Sequence, residues 1–262
     1  MMIYEICAQT DKGLERGNNE DAVTFDAQTQ LCILADGMGG YNAGEVASTM
    51  AAAFIKSEMV RWLAQVGALA NTKEVRRAIE ICVENANHAI FHAAISNPEY
   101  AGMGTTLVVA VFQDDCLVVG HIGDSRCYRL RGIEFQQITK DHSLLQEQID
   151  AGLVTPEQAL TASNKNLVTR ALGVENAVSL EINEHCVEMG DLYVMCSDGL
   201  SDMVSAAAIA NVLKGAYTLE QKARQLIMIA NEAGGHDNIS VLLVQTKQAS
   251  TKRNFLSKIL RK

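Results

Sequence analysis

The residues with the clearest chemical promise are aspartates set where apolar runs end. Asp36 follows the run Leu31-Cys32-Ile33-Leu34-Ala35 and leads into Gly37-Met38-Gly39-Gly40. Asp198 follows LYVMCS and precedes Gly199. Asp237 sits in GGHDN, just before the run ISVLLV, and Asp124 sits in Gly123-Asp124-Ser125-Arg126, just after LVVGHI. An aspartate at the end of a buried strand is carried by rigid scaffold yet faces a loop cleft. A neighbouring glycine lets the backbone approach a ligand closely and leaves a carbonyl free to act as one. Any one of these reads first as a turn, because Asp and Gly both favour turns. Four of them beside buried runs, with an Asn19-Glu20-Asp21 cluster, point instead to a shared site. Carboxylates gathered there would repel one another, and hard divalent cations such as Mg²⁺ or Mn²⁺ relieve that repulsion with oxygen ligands.

Other candidates carry less. His88 and His92 stand four apart on a helical pattern, a spacing that can bind zinc, but Ala-Ile-Phe separates them and no glutamate follows His88. They read as surface or packing residues. His121 precedes Gly123-Asp124 and could lie near the site as a proton donor, but reads first as a structural strand histidine; Arg170 reads first as a structural salt-bridge residue, with a substrate contact as the alternative. The seven cysteines (7, 32, 82, 116, 127, 186 and 196) are scattered, with no C-x-x-C. They read as reduced core thiols of a cytoplasmic protein, not as zinc or disulfide partners. Neither a G-x-G-x-x-G dinucleotide signature nor a phosphate-binding G-x-x-x-x-G-K-[ST] loop occurs.

The elements that must position these residues follow from hydrophobic period. Residues 3–9 and 31–35 read as short buried strands. Apolar residues recur at helical spacing from Ala43 to Val66 and again from Thr72 to Ala94, predicting a helical hairpin across Gly67. The period then shortens. Thr105–Phe112, Cys116–Ile122, Arg126–Leu130 and Glu134–Ile138 are rich in Val, Ile and Leu and are separated by short turns, which predicts an antiparallel meander. A helical and loop-like stretch spans 141–166, with a helix start at Thr155-Pro156-Glu157. Strands near 178–183, 191–196 and 239–245 and helices near 205–214 and 219–233 complete the pattern. Strands and helices are segregated, which favours α+β layers with antiparallel sheets.

The chain has 262 residues, 48% of them hydrophobic and 20% charged, enough to bury a substantial core and against intrinsic disorder. Its 22 basic and 31 acidic residues give a net charge of −9, which argues against nucleic-acid binding. No apolar run is long enough to span a membrane. The end differs from the rest. Thr251–Lys262 holds Lys252, Arg253, Lys258, Arg261 and Lys262 and no acid, while Phe255, Leu256, Ile259 and Leu260 would share one helical face. A basic amphipathic tail over 249–262 is expected to fray, to pack on its own domain, or to touch a partner or an anionic membrane.

Eight short motifs occur in order: Arg16-Gly17-Asn18-Asn19-Glu20-Asp21, Asp36-Gly37-Met38-Gly39-Gly40, Gly104-Thr105-Thr106, Gly123-Asp124-Ser125-Arg126, Asp141-His142-Ser143, Thr169-Arg170-Ala171-Leu172-Gly173, Ser197-Asp198-Gly199-Leu200 and Asp237-Asn238. Each is weak alone; together they make the chain resemble the PP2C-type metal-dependent serine/threonine protein phosphatases, in the bacterial single-domain form. The resemblance implies one phosphatase domain over 1–248, built as a four-layer α-β-β-α sandwich, with a variable flap over about 141–166. It implies that Asp36 bridges two Mg²⁺ or Mn²⁺ ions, that Asp198 and Asp237 complete the first, and that the Gly37 carbonyl binds the second. Glu20 and Asp21 stand near the second ion, and Asn238 supports the site. Asp124, with Asp198, matches the place of a third, weaker ion, and Arg16 matches the arginine that grips the substrate phosphate.

Eukaryotic relatives carry a histidine two residues after the bridging aspartate; here Met38 stands there, so no general acid is assigned. No C-x5-R thiol-phosphatase loop is present, and the cysteines need not be nucleophiles. The activity implied is hydrolysis of phosphoserine and phosphothreonine in proteins, opposing a Hanks-type kinase, by a monomer. Two other readings share the scaffold: a phosphatase of phosphorylated anti-sigma-antagonist proteins, and a non-catalytic phosphoprotein-binding module. The last predicts lost metal ligands, yet Asp36, Asp124, Asp198 and Asp237 are all present.

Overall fold

The computed structural model describes residues 2–40, 43–67, 70–159 and 167–248. The basic tail at 249–262 and the end of the flap at 160–166 lie outside the described residues. Eleven strands form two antiparallel sheets among them. The first sheet runs in the order β1 (Met2–Asp11), β11 (Ile239–Gln248), β10 (Leu192–Cys196), β7 (Arg126–Arg131) and β8 (Glu134–Gln137). The second runs β2 (Asp21–Asp26), β3 (Leu31–Met38), β5 (Leu107–Gln113), β6 (Cys116–Ile122) and β9 (Glu181–Cys186), with the two-residue β4 (Gly104–Thr105) pairing with Gly37 and Met38 at the cleft end of β3.

Three apolar layers hold the sandwich together. Helices α1 (Ala43–Val66) and α2 (Thr72–Ser96) cover the outer face of the second sheet, packing Ala47, Ile55, Val75 and Ile79 on Ile33, Val109 and Val118. Between the sheets, Leu34, Val108, Phe112, Tyr193, Met195 and Leu242 interdigitate. Helices α6 (Ala206–Lys214) and α7 (Leu219–Glu232) cover the first sheet through Ile209, Leu213, Ala223 and Leu226. The strict alternation of β3 explains this: Leu31, Ile33 and Ala35 join the helix-facing layer, Cys32 and Leu34 the inter-sheet layer. The α+β sandwich expected from segregated periods is what the chain forms.

Helix ends follow local sequence. Asn71 and Glu74 make a reciprocal capping box at α2, and Thr218 with Gln221 makes another at α7. In the flap segment, Ser143 caps α3 (Leu144–Asp150) and α4 spans Pro156–Ala159.

Two sequence expectations are corrected. The predicted meander is broken between β6 and β7. The chain leaves the second sheet at Gly123 (φ +98°), and β7 pairs with β10 and β8 in the first sheet. Strand period gives no partner, so a turn that switches sheets looks like a hairpin. Strand β2 was not anticipated, because Asp21–Asp26 is half-buried throughout and carries polar residues. It pairs with β3 and sets Asp21 directly opposite Asp36.

Candidate active site

The aspartates singled out from sequence meet at one end of the sandwich. Asp36 is held at the cleft end of β3 by its backbone: its N–H donates to Thr106 Oγ1 (3.0 Å), and its carbonyl accepts from the Thr106 N–H (2.8 Å) and Thr105 Oγ1 (2.9 Å). The register of β2 with β3 brings Asp21 across from it. Ser197, one residue after β10, donates to Asp21 Oδ2 at 2.8 Å and so ties the end of the first sheet to the second. Asp198 opens the short helix α5 (Asp198–Ser201), and Asp237 sits two residues before β11. Asp124 lies in the turn that switches sheets and is 8% exposed.

Electrostatics records the convergence. The Asp36 carboxyl is pushed well above the ordinary carboxylate range by burial, then by the charges of Asp21, Asp198, Asp124 and Asp237. Asp198 is raised in the same way by burial, then Asp124, Asp237, Asp202 and Asp21. Burial and the Asp237 charge lift Asp21 to about 7, against the lowering effect of its serine hydrogen bonds. Asp124 rises to about 6 through burial and Asp141. Protein alone leaves this cluster unsatisfied: Asp21 Oδ1 is buried without a hydrogen-bond partner. An all-oxygen set of mutually repelling carboxylates with an orphaned acceptor fits a hard divalent cation, which supplies the missing positive charge.

Glycine permits this crowding at two positions. A Cβ on Gly37 would lie 2.1 Å from the Gly44 carbonyl oxygen and 2.6 Å from that of Glu20, so α1 can start against the Asp36 loop only because residue 37 has no side chain. A Cβ on Gly199 would lie 2.1 Å from the Asn238 carbonyl oxygen. The Gly37 N–H donates to the Glu20 carbonyl at 3.1 Å, which places Glu20 beside the same turn. Burial raises the Glu20 carboxyl above its ordinary value.

Asn238 is the fastener of this end. Its side-chain oxygen accepts from the Glu20 N–H (2.7 Å), and its Nδ2 donates to the carbonyls of Lys12 and Asn18 (2.9 Å each). The loop carrying Arg16 is thereby stitched to the start of β11. Arg16 donates to Asp237 Oδ2 at 2.7 Å, with its side chain half exposed. Burial works against its charge, but Asp237, Glu20 and Asp198 prevail, so the guanidinium is held charged more firmly than usual.

A cleft of about 460 Å³ opens beside the cluster. Asp124, Asp198 and Asp202 line one side, and Leu145, Gln146 and Ile149 of the flap helix line the other. Asp202 was missed from sequence. It stands four residues after Asp198 across α5, the spacing that stacks side chains on one helical face, and that spacing was the available signal. Arg126 forms a bidentate pair with Asp141 (Nε–Oδ1 3.0 Å, Nη2–Oδ2 2.6 Å), pinning the start of the flap to β7.

The remaining candidates stay outside the cluster. His121 is buried, its Nε2 lies 2.7 Å from the Lys140 carbonyl, and its ring stacks on His142 at 4.7 Å. With Glu181 these histidines form a group of metal-ligating size. However, the Gly123 N–H donates to His142 Nδ1 (3.2 Å), which keeps the neutral ring's proton on Nε2, facing Glu181 Oε2 at 3.4 Å. That proton occupies the lone pair a metal needs, so the trio is a hydrogen-bonded strut. His88 and His92 join no such group among the described residues. Arg170 is exposed and makes no ion pair among the described residues, contrary to its reading as a salt-bridge residue; it lines a separate hollow with Thr169 and Glu175. Met38 is half-buried and offers no proton.

Known proteins are similar to this chain in sequence and fold. Residues 15–243 match the family described as Protein phosphatase 2C. The chain is 38% identical to the serine/threonine phosphatase stp of Listeria innocua over 240 residues, 90% of this chain and 94% of that protein. The serine/threonine phosphatase structure of S. agalactiae superposes with a TM-score of 0.86 at 38% identity, covering 92% of this chain and 99% of that one. The catalytic domain of the serine/threonine protein phosphatase PstP, solved in complex with two manganese ions, gives a TM-score of 0.82 at 37% identity, covering 95% and 100%. With the match running from the Arg16 loop into the last strand, this chain belongs to the protein phosphatase 2C family.

Proposed function

We propose that the chain hydrolyses phosphoserine and phosphothreonine in proteins, using Mg²⁺ or Mn²⁺, and that it does so in the cytoplasm as a monomer opposing a Hanks-type kinase. The observation that carries the reading is the cluster of Asp21, Asp36, Asp124, Asp198 and Asp237, raised in pKa or ion-paired and gathered from both sheets at one rim. The family and the named activities of its relatives support the reaction class. The seven free cysteines support the compartment. No helix among the described residues is long and apolar enough to cross a membrane.

Residue roles follow from position. Asp36, with Asp21 opposite it on the neighbouring strand and Asp198 in the short helix after β10, would be the ligand shared by two cations. Asp198 and Asp237 would complete one site. The Gly37 carbonyl, with Glu20 and Asp21 nearby, would serve the other, and Asp124 with Asp198 would hold a weaker third. When bound, such a pair of ions supplies charge neutralisation and an activated water for in-line attack on phosphorus. Arg16 is half exposed and could exchange its Asp237 partner for two phosphoryl oxygens. The products are the free hydroxyl and inorganic phosphate, with no covalent phosphoenzyme. Residues 1–248 act as the catalytic domain, the flap shapes access, and the tail is accessory.

The test is turnover of p-nitrophenyl phosphate and a phosphothreonine peptide with Mn²⁺, with EDTA, and in Asp36→Asn. Activity that needs metal and falls by more than ~10³-fold in a folded Asp36→Asn protein supports the reading. Metal-independent turnover refutes the mechanism, and binding of the peptide without turnover at any metal concentration favours the non-catalytic module.

A further inference from the structure

Strands β6 and β9 place Cys116 and Cys186 directly opposite each other. The Val187 N–H donates to the Asp115 carbonyl at 2.7 Å, one residue outside the pair. In an antiparallel ladder that bond flanks a non-hydrogen-bonded position, where Cα atoms stand ~4.5 Å apart and side chains are closest. A disulfide spans Cα separations of ~4.4–6.8 Å, so a pair at this position falls within that reach, at its short end. Both side chains point to the same face of the sheet, since directly opposed residues do. Cys116 is half-buried and packs against the α1–α2 layer, and Cys186 is exposed on an edge strand that pairs only with β6 among the described residues. Burial, then Glu184, Cys186 and Asp115, pushes the Cys116 thiol up.

The other cysteines lack this arrangement. Cys7, Cys32, Cys82, Cys127 and Cys196 are buried. In the strand registers Cys7 faces Leu243, Cys32 faces Phe25 and Ala110, Cys127 faces Met195, and Cys196 faces Arg126 and Val241. Cys116 and Cys186 are the only directly opposed pair among the described residues.

We propose that Cys116 and Cys186 form an oxidative modification site that takes low-molecular-weight disulfides and closes to a cross-strand disulfide. The Cys186 thiolate attacks one sulfur of the disulfide, whose S–S bond breaks and releases one thiolate. The Cys116 thiolate then attacks Cys186 Sγ and expels the second. The two protein thiols give up two electrons and two protons, and the small disulfide becomes two thiols. The bond pins the edge strand β9 and closes a loop that holds the Asp124 turn and the flap. Because the Cys116 thiol is raised, the second step speeds up as pH rises.

The experiment treats the purified full chain with oxidised glutathione, then titrates thiols after denaturation and maps peptides by mass spectrometry. The expected result is a fall from seven titratable thiols to five, a linked peptide pair carrying Cys116 and Cys186, and no retained glutathione. Cys116→Ser, checked for folding by circular dichroism, keeps one glutathione on Cys186. Retention of glutathione on Cys186 in the unmutated chain, equal to that in Cys116→Ser, overturns the proposal. So does a linked pair involving any other cysteine. The wild-type cross-link is read directly, so the outcome stands even if the variant misfolds, and it is independent of phosphatase activity.

Discussion

Neutralising Asp124 should stabilise the metal-free protein, the reverse of what removing a buried carboxylate's partner usually does. Asp124 is 8% exposed, and burial together with Asp141 raises its carboxyl from 3.8 to about 6. A folded-state value above the unfolded one means that ionisation opposes folding. The cost is complete above about pH 6, shrinks as pH falls toward 3.8, and vanishes below it. Its ceiling at neutral pH is ~3 kcal/mol. Neighbouring carboxylates that already keep protons share the repulsion, so ~1–3 kcal/mol is expected, or a rise of ~3–10 °C in Tm for a chain of this size.

The assay is thermal unfolding of wild type and Asp124→Asn in EDTA at pH 7 and at ~pH 3.5, then with excess Mg²⁺ at pH 7. The variant should melt higher at pH 7 without metal, match wild type at the acid end, and lose its advantage once cations offset the repulsion. An Asp124→Asn protein no more stable than wild type at pH 7 in EDTA, or an advantage that persists unchanged at acid pH, refutes the electrostatic reasoning.

Other outcomes follow from single contacts. Gly37→Ala forces a Cβ to 2.1 Å from the Gly44 carbonyl, so a loss of ~1–3 kcal/mol or more in denaturant unfolding is expected, with metal-dependent turnover falling alongside. Asn238→Ala strands the Glu20 N–H and the carbonyls of Lys12 and Asn18; stability should drop by ~3 kcal/mol, and the Mn²⁺ concentration for half-maximal activity should rise, both readable in one titration series. Arg16→Ala should chiefly raise KM for p-nitrophenyl phosphate, and unchanged kinetics would remove Arg16 from the phosphate site. Deleting 251–262 should leave small-substrate turnover intact; its collapse would show that the tail is part of the catalytic domain.

Legibility of the sequence differed between elements for physical reasons. Helices α2 and α7 were readable because a 3.6-residue period persists over several turns and their first turns carry polar caps. Strands β6 and β10 were readable as runs of buried residues bounded by turns. Strand β2 was not, since a half-buried polar segment has no contrast between its faces. The partner of β7 was not readable either: a two-residue period fixes which face is buried but not which strand lies alongside. Asp202 escaped notice because its relevance depends on one helical turn too short to leave a periodic trace.

What the sequence determined by itself was the inventory of the site. Acidic side chains at the ends of apolar runs, with glycine beside them, are local patterns, and local patterns specify residue type, burial and turn. The ordered motifs added the family and, through it, the roles expected of each residue. Only the tertiary structure decided the company those residues keep. It placed Asp21 against Asp36 through strand register, joined Ser197 of one sheet to Asp21 of the other, and set Cys186 across from Cys116. Those pairings join positions up to 176 residues apart, and they depend on how whole sheets stack. Registers and stacking are fixed by the packing of three apolar layers at once, and no single stretch of chain carries that information.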